Sequence, residues 1–268
     1  MKLSCAARMG GMACAVFLIS TAILSRFAFS QDNAQKIQTL MAEADAYAEK
    51  TFEDQKAVET YEKILKLDPN NYDALWKASR SMSNIGARLP IGTDEEKQKA
   101  LAVYEKGLDY ANRAIAANPN GSMGHVRRAV IYGRMGLLKG VWDSIDLVKK
   151  TRSECEKAIQ LDLNNATAWY VLGRTHMKVS EKPKLFRLPL GLGWANMEDA
   201  IMDLEKSVRL RPDFIMFRLD LARAYAEEDE YSKAREQINK IKTLPTQDAQ
   251  DGKFRAEADQ LLKEIQNK

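Results

Sequence analysis

The sequence predicts an all-α solenoid of helical hairpins, with about five helix pairs, long insertions between the helices of a pair, and a C-terminal capping helix. A helix-ending phrase recurs four times, and each copy closes one amphipathic stretch and precedes another. Proline, present in three copies, cannot donate to a continuing helix and so stops it. Recurrence of this kind is typical of units that must stack to bury their apolar faces. The phrases are Leu67–Asn71, Ala117–Gly121, Leu161–Asn165 and Leu210–Asp213.

The start of the chain has the pattern of a secretory signal peptide. Lys2 and Arg8 form a basic beginning, Ala13–Leu24 is a run of apolar and small residues, and Ala28–Ser30 offers a cleavage site before Gln31. The apolar run is shorter than the ~20 residues of a membrane-spanning helix. We therefore expect an exported protein, periplasmic or secreted; an uncleaved membrane anchor and a mitochondrial presequence are the alternatives. The predicted domains are a signal peptide at residues 1–30 and a repeat domain at residues 31–268.

Charge and cysteine content narrow the classes of function. The net charge is +4, but Lys2, Arg8 and Arg26 supply three of those charges before residue 31, where no acid occurs. The predicted mature chain is thus close to neutral, which argues against general nucleic-acid binding. Cys155 is its single cysteine, so neither an internal disulfide nor a cysteine metal cluster is expected.

The repeated unit matches the tetratricopeptide pattern, which is Trp-x2-Leu-Gly-x2-Tyr, then Ala-x3-Phe, then Pro. Trp169–Gly173 matches the first half, and Ala57–Tyr61 followed by Pro69 matches the second. The helix-ending phrases lie 44 to 50 residues apart, against the family's 34, so the surplus is expected between the two helices of a pair. Small residues where helices should cross closely are Ala114, Ala158 and Ser207.

Two boundaries follow from local chemistry. Thr93–Glu96 is a capping box, which predicts a long helix from there to about Ala117, leaving only residues 88–92 as a loop. After Pro245, an amphipathic pattern over Gln247–Gln266 predicts the last helix, whose polar outer face suits the end of a stacked array.

Six segments carry a resemblance to a known family: Trp76–Arg80, Asp94–Lys97, Tyr104–Glu105, Gly124–His125, Glu156–Leu161 and Leu172–Arg174. Across about residues 41 to 265 the chain resembles the regulator of microtubule dynamics family. The resemblance implies an all-helical repeat domain that binds other molecules. Eukaryotic members look like microtubule-associated proteins and, in one branch, lipid-binding tethers between membranes. The signal-like start points to a secreted bacterial member, and such a chain would not meet tubulin.

Catalytic and cofactor motifs do not stand out in the sequence. Gly133, Gly136 and Gly140 follow no predicted strand, so they lack the context of a nucleotide-binding loop. His125 and His176 fall at packing positions of the repeat. We therefore predict a non-enzymatic protein that uses no metal and no cofactor.

The concave face is the predicted binding surface, because the first helix of each pair lines it in a tetratricopeptide stack. Guanidinium groups bind carboxylates and phosphates bidentately, so a protein or peptide partner with acidic groups is expected. The alternative is that the arginines pair with acids such as Asp73 and Glu227 and only tie repeats together. Arg80, Arg174 and Arg223 share one inward position of the repeat, with aromatic residues one turn before and basic residues one turn after. The predicted groove residues are Trp76, Arg80, Arg134, Tyr170, Arg174, Lys178 and Arg223.

The insertion at residues 181–194 is a second candidate site. It is rich in apolar residues but interrupted by prolines and glycines, so it is expected either to fold back as a lid or to form an exposed contact. Lys182, Lys184 and Arg187 would suit anionic lipid headgroups. The alternative function is therefore a lipid carrier or membrane tether that uses the groove and this insertion. Its predicted contacts are Leu185, Phe186, Leu188, Leu190 and Trp194.

Overall fold

The computed structural model describes residues 32–268, and in that range helices follow one another without a β-strand. The predicted signal peptide lies outside the described residues. No helix within this range combines the length and apolar composition needed to cross a membrane. The helices are α1 (residues 32–49), α2 (Asp54–Leu67), α3 (Tyr72–Arg88), α4 (Asp94–Ala117), α5 (Ser122–Gly136), α6 (Val141–Leu161), α7 (Ala166–Ser180), α8 (Lys184–Arg187), α9 (Met197–Leu210), α10 (Ile215–Glu227), α11 (Tyr231–Ile241) and α12 (Asp251–Glu264).

The helices form five antiparallel pairs that stack side by side, which confirms the predicted solenoid. The pairs are α1–α2, α3–α4, α5–α6, α7–α9 and α10–α11, and α12 packs on both helices of the last pair. The first helices of the pairs also touch one another, α3 with α5, α5 with α7, and α7 with α10. These first helices therefore form one continuous inner wall, as the tetratricopeptide pattern predicts.

Short turns of one geometry join successive pairs. In the first three described turns, a side-chain oxygen of Asp68, Asn118 or Asp162 accepts a hydrogen bond from the N–H two residues later, at 3.3, 3.2 and 2.9 Å. This hydrogen bond stabilises the turn whether or not the next residue is proline, which explains why the turn at Asp162 forms with Leu163 in the proline position. In the fourth turn Arg211 occupies the same position and cannot accept such a bond.

The surplus residues of each repeat lie between the helices of a pair, as predicted. The Thr93 hydroxyl accepts from the Glu96 N–H at 3.2 Å and the Glu96 carboxylate accepts from the Thr93 N–H at 3.0 Å, so the capping box starts the long α4. The third surplus forms α8 and a 3-10 turn at Leu188–Leu190.

The last helix begins later than the sequence predicts. The Asp251 carboxylate accepts hydrogen bonds from the N–H groups of Gln247 and Asp248, at 2.7 and 2.9 Å. These bonds hold the preceding residues in a turn, so the helix starts at Asp251 and not at Gln247.

Small and buried residues account for the close packing of the pairs. Ala114, Ala158 and Ser207 are fully buried at the predicted crossings. At Gly173 a β-carbon would lie 2.9 Å from the Ala200 carbonyl oxygen, so only glycine fits between α7 and α9. Cys155 is also fully buried, and burial raises the pKa of its thiol well above the usual range. Its environment is that of a packing residue.

Candidate functional site

A cavity of about 830 Å³ lies on the concave face. Its wall comes from the first helices of the pairs, from the start of α6 and from residues 246–249 before α12. Glu49 and Phe52 near the first pair line the same cavity as Asp248 near the last, so the two ends of the solenoid face each other across it. Eight basic and three acidic residues contribute to the lining, and this excess of positive charge favours an anionic ligand.

Five of the seven predicted groove residues line this cavity. Arg80 comes from α3, Arg134 from α5, and Tyr170, Arg174 and Lys178 from α7. Their convergence follows from the stacking of the first helices, which places equivalent positions of successive pairs side by side.

Trp76 and Arg223 are the two predicted groove residues that do not line the cavity. The Trp76 ring centroid lies 5.7 Å from the Arg80 Cζ and 5.6 Å from the Arg127 Cζ, so Trp76 supports two cavity arginines without being part of the lining. Arg223 donates to Asp220 at 2.8 Å and to Glu257 of α12 at 2.7 Å. The capping helix thus covers this position in the last pair, and Arg223 joins α10 to α12.

Ion pairs within the array engage some of the cavity arginines. Arg80 pairs with Glu49 at 2.8 Å, and Arg174 lies 3.4 Å from the buried Asp220. Asp220 also accepts from the Tyr170 hydroxyl at 2.6 Å. The predicted partner Asp73 instead accepts from the Trp76 indole at 2.9 Å. Arg80 and Arg174 therefore also hold neighbouring repeats together by ion pairs. Their partners, Glu49 and Asp220, are not the acids that the sequence predicted.

Arg127 of α5 is a cavity residue that the sequence reasoning missed. It forms no ion pair within the described part of the chain, and its Nε is buried without a hydrogen-bond partner. Burial, together with the like charges of Arg80 and Arg211, lowers the pKa of its guanidinium to about 9. The group stays protonated at neutral pH, so the protein holds an uncompensated positive charge at the cavity wall.

Arg211 is the second residue missed. Its Cζ lies 4.1 Å from the Phe214 ring centroid, and its Nη2 donates to Gln247 at 2.9 Å. Burial lowers the pKa of this guanidinium, and Arg80 lowers it further while Asp213 opposes the shift. One pattern could have identified it, since Arg211 stands where the other turns carry Asp or Asn.

Arg80, Arg127 and Arg211 form what we call the arginine cluster. The Nη2 of Arg80, like the Nε of Arg127, is a buried donor with no acceptor among the described residues. Buried donors left without partners cost free energy, and neighbouring cations repel one another. A carboxylate or phosphate would satisfy both the donors and the charge.

Apolar and aromatic side chains complete the cavity. Phe217 stacks on Tyr170 with ring centroids 4.4 Å apart, and Phe214 packs edge-on against Phe217 at 4.7 Å. Val130, Met216 and Val179 also contribute to the lining. The site therefore offers apolar contact beside the arginine cluster, a combination that suits an amphipathic ligand.

Some apolar side chains of the insertion at residues 181–194 pack against the repeats, and others are exposed to solvent. Leu190 and Trp194 pack with Val179 and α6, whereas Leu185, Phe186 and Leu188 are exposed. Arg187 departs from the expectation that it could bind a lipid headgroup. Its guanidinium is buried and donates to three backbone carbonyls, those of Lys182, Leu192 and Ala195, at 2.7, 3.3 and 2.5 Å.

One protein family matches most of this chain. A family model described as Regulator of microtubule dynamics protein 1-3 matches residues 40–266. Regulator of microtubule dynamics protein 1 of Bos taurus is 29% identical over 73% of this chain and 62% of its own length. The Mus musculus protein 1 is 27% identical over 85% and 74%, and the Rattus norvegicus protein 3 is 25% identical over 70% and 40%. The chain thus spans less than two thirds of the bovine and rat relatives.

A solved structure supports the fold. A thermophilic TPR protein of Thermus thermophilus superposes with a TM-score of 0.59 at 16% identity, covering 84% of this chain and 98% of that one. The likeness confirms a tetratricopeptide-like helical solenoid.

Proposed function

We propose that this chain, which belongs to the regulator of microtubule dynamics family, is a non-enzymatic scaffold or adaptor that binds an acidic segment of a protein or peptide partner in its concave cavity. The partner's carboxylates would lie on the arginine cluster, and its apolar side chains would lie against the partly buried Phe214 and Met216, which also line the cavity. The tetratricopeptide-like fold supports binding of a protein partner in general, because stacked first helices present a long inner surface.

The main support for this proposal is Arg127, whose guanidinium has no ion-pair partner within the described residues. A partly buried cation with no ion-pair partner and with a buried Nε that lacks an acceptor destabilises the free protein, and neighbouring Arg80 and Arg211 add to its pKa shift. A partner carboxylate would supply the missing charge and acceptors. Charge-assisted bonds of this kind are roughly twice as strong as neutral ones, so the cluster favours acidic partners over neutral ones.

A lipid-binding carrier or membrane tether is the second candidate. It is favoured by the cavity volume of about 830 Å³, because apolar side chains of its lining adjoin the arginine cluster. An acyl chain and its phosphate would match these two parts. Native mass spectrometry of the purified chain separates the candidates, because a co-purifying lipid supports the carrier and a mass equal to that of the polypeptide supports the peptide scaffold.

Replacing Arg127 with methionine should weaken binding without weakening the fold. Methionine keeps an unbranched apolar stem and removes the uncompensated charge, so the free energy of unfolding should stay equal or rise. Affinity for a fluorescent peptide of alternating glutamate and leucine should fall by at least about 30-fold, because truncating one partner of a desolvated charged contact typically costs about 2 kcal/mol or more. Fluorescence anisotropy measures the peptide affinity, and urea denaturation measures the free energy of unfolding.

Arg209→Met is the matched control for this experiment. Arg209 lies on α9, outside the cavity, with its side chain 63% exposed and 3.5 Å from Glu205, so its removal should leave peptide affinity unchanged. Equal affinities of the parent and the Arg127→Met chain would refute the assignment of the cavity as the acidic-partner site.

The localisation and the partner class are linked in this proposal. The relatives carry names that concern microtubule dynamics, but a chain exported from a bacterial cell would not meet tubulin. We propose that the protein is exported, because residues 1–30 have the pattern of a signal peptide. N-terminal sequencing that finds an intact Met1 in the mature protein would remove it.

A further inference from the structure

Exposed apolar side chains gather at one edge of the solenoid. The described part of the chain exposes eight large apolar residues, and six of them lie in or beside the loops that join the two helices of a pair. Because the pairs are antiparallel and stacked, all such loops emerge at the same edge. We call these six residues the loop edge: Ile91 after α3, Leu137 after α5, Trp142 in the first turn of α6, and Leu185, Phe186 and Leu188 between α7 and α9.

Packing beneath the surface connects these loops. Leu89 and Leu138 belong to one apolar cluster with Leu147 of α6. Ile145 and Val148, one to two turns after Trp142, pack against Leu192 of the insertion. The three loops are therefore neighbours in space, and their exposed side chains form one surface.

The structure holds the exposed side chains of the insertion in place. The buried Arg187 guanidinium joins the carbonyls of Lys182, Leu192 and Ala195, so both ends of the short segment are fixed to one cation. Leu185 and Phe186, 76% and 68% exposed, therefore project outward from an ordered support. A preorganised apolar projection favours binding, because less conformational entropy is lost on contact.

Charge is unevenly distributed along this edge of the array. The loops of the first and last pairs, which also emerge here, carry the acids Glu53, Glu228, Asp229 and Glu230, so the positive charge is confined to the three middle loops. Between the exposed apolar residues stand Lys139, Lys182 and Lys184, and the one acid of these three loops is Glu181, which pairs with Lys178. Acids at the start of α4 are also engaged, in the capping box or with lysines of the same helix, and Asp143 lies beside Trp142. The turns at the opposite edge carry Asp68, Asp162 and Asp213 against the single cation Arg211.

We propose that the loop edge docks on the surface of an anionic membrane, an inference that rests on the membrane-tether candidate above and identifies the surface that would meet the lipid. Apolar tips from separate loops, with lysines between them, match a bilayer interface, where the apolar groups enter and the ammonium groups meet lipid phosphates. Tryptophan is typical of this interface, and Trp142 is 78% exposed here. A second copy of this chain fits less well, because a twofold contact through this edge would bring Lys182 and Lys184 of both copies together.

The test uses the full-length chain and phosphatidylcholine vesicles, with and without phosphatidylserine, that contain a brominated phospholipid. Bromine quenches only tryptophans within the bilayer interface, so the difference in quenching between the parent and Trp142→Phe reports on this loop alone. We expect Trp142 to be quenched on the anionic vesicles, and we expect this quenching to weaken with added salt. Leu185→Glu/Phe186→Glu should lower the partition coefficient of the loop edge by at least about tenfold.

Leu163→Glu/Met202→Glu is the matched control. Leu163 and Met202 are exposed to 64% and 58% away from the loop edge, so this variant should bind as the parent does. Absence of Trp142 quenching, or equal quenching in both double variants, would overturn the proposal. Self-association of the parent that only Leu185→Glu/Phe186→Glu abolishes, without vesicle binding, would assign the edge to a second copy instead. The cavity proposal rests on other residues and survives either failure.

Discussion

Replacing Phe217 with alanine is expected to lower the free energy of unfolding by about 3–5 kcal/mol. Phe217 is 1% exposed and lies between Tyr170 and Phe214, with ring centroids 4.4 and 4.7 Å away. Removing the ring deletes both aromatic contacts and leaves a void beside the existing cavity, which the rigid first helices cannot close. Urea denaturation followed by circular dichroism measures the loss.

Phe186→Ala is the matched control, because the same ring is removed at a position that is 68% exposed. Its free energy of unfolding should stay within about 0.5 kcal/mol of the parent. Similar losses for the two variants would contradict the placement of Phe217 in the core of the last pairs.

Replacing Asp220 with alanine is expected to cost about 2–4 kcal/mol of folding free energy. Asp220 is 2% exposed and accepts from the Tyr170 hydroxyl and from Arg223, at 2.6 and 2.8 Å, with Arg174 at 3.4 Å. Without the carboxylate, a buried hydroxyl and two cations lose their common partner. The cost stays below that of a fully buried ion triad because both arginine side chains are about one third exposed.

Two further variants make this prediction specific. Asp109→Ala removes an exposed carboxylate 3.7 Å from Arg113 and should change the free energy of unfolding by less than about 1 kcal/mol. Asp220→Asn keeps an acceptor and should retain part of the stability. A midpoint of denaturation for Asp220→Ala equal to that of Asp109→Ala would show that Asp220 does not connect α7 to α10.

The repeat pattern predicted most of the fold because it depends on local chemistry. The capping box at Thr93 and the small residues Ala114 and Ala158 act within one or two pairs, and their effects can be read from neighbouring positions. The start of α12 could not be predicted, because it depends on which N–H groups the Asp251 carboxylate binds.

The candidate site was predicted in part for the same reason. Arg80 and Arg174 were found because equivalent positions face one wall, while Arg223 departs since α12, which lies outside the repeat, supplies Glu257. Arg127 was missed because it does not share the repeat position of Arg80 and Arg174. Arg211 was missed because its proximity to Arg80 depends on how far the whole array winds. That accumulated rotation is a sum of small steps, and no single repeat reveals it.

The facing ends of the solenoid change how this protein should respond to a ligand. In a linear array each pair is coupled only to its neighbours, so the terminal pairs fray independently. One anion bound by both Arg80, which pairs with Glu49 of α1, and Arg211 would couple the first pairs directly to the last pair. The loaded chain would then melt as a closed ring does, its first and last hairpins losing structure in a single concerted step.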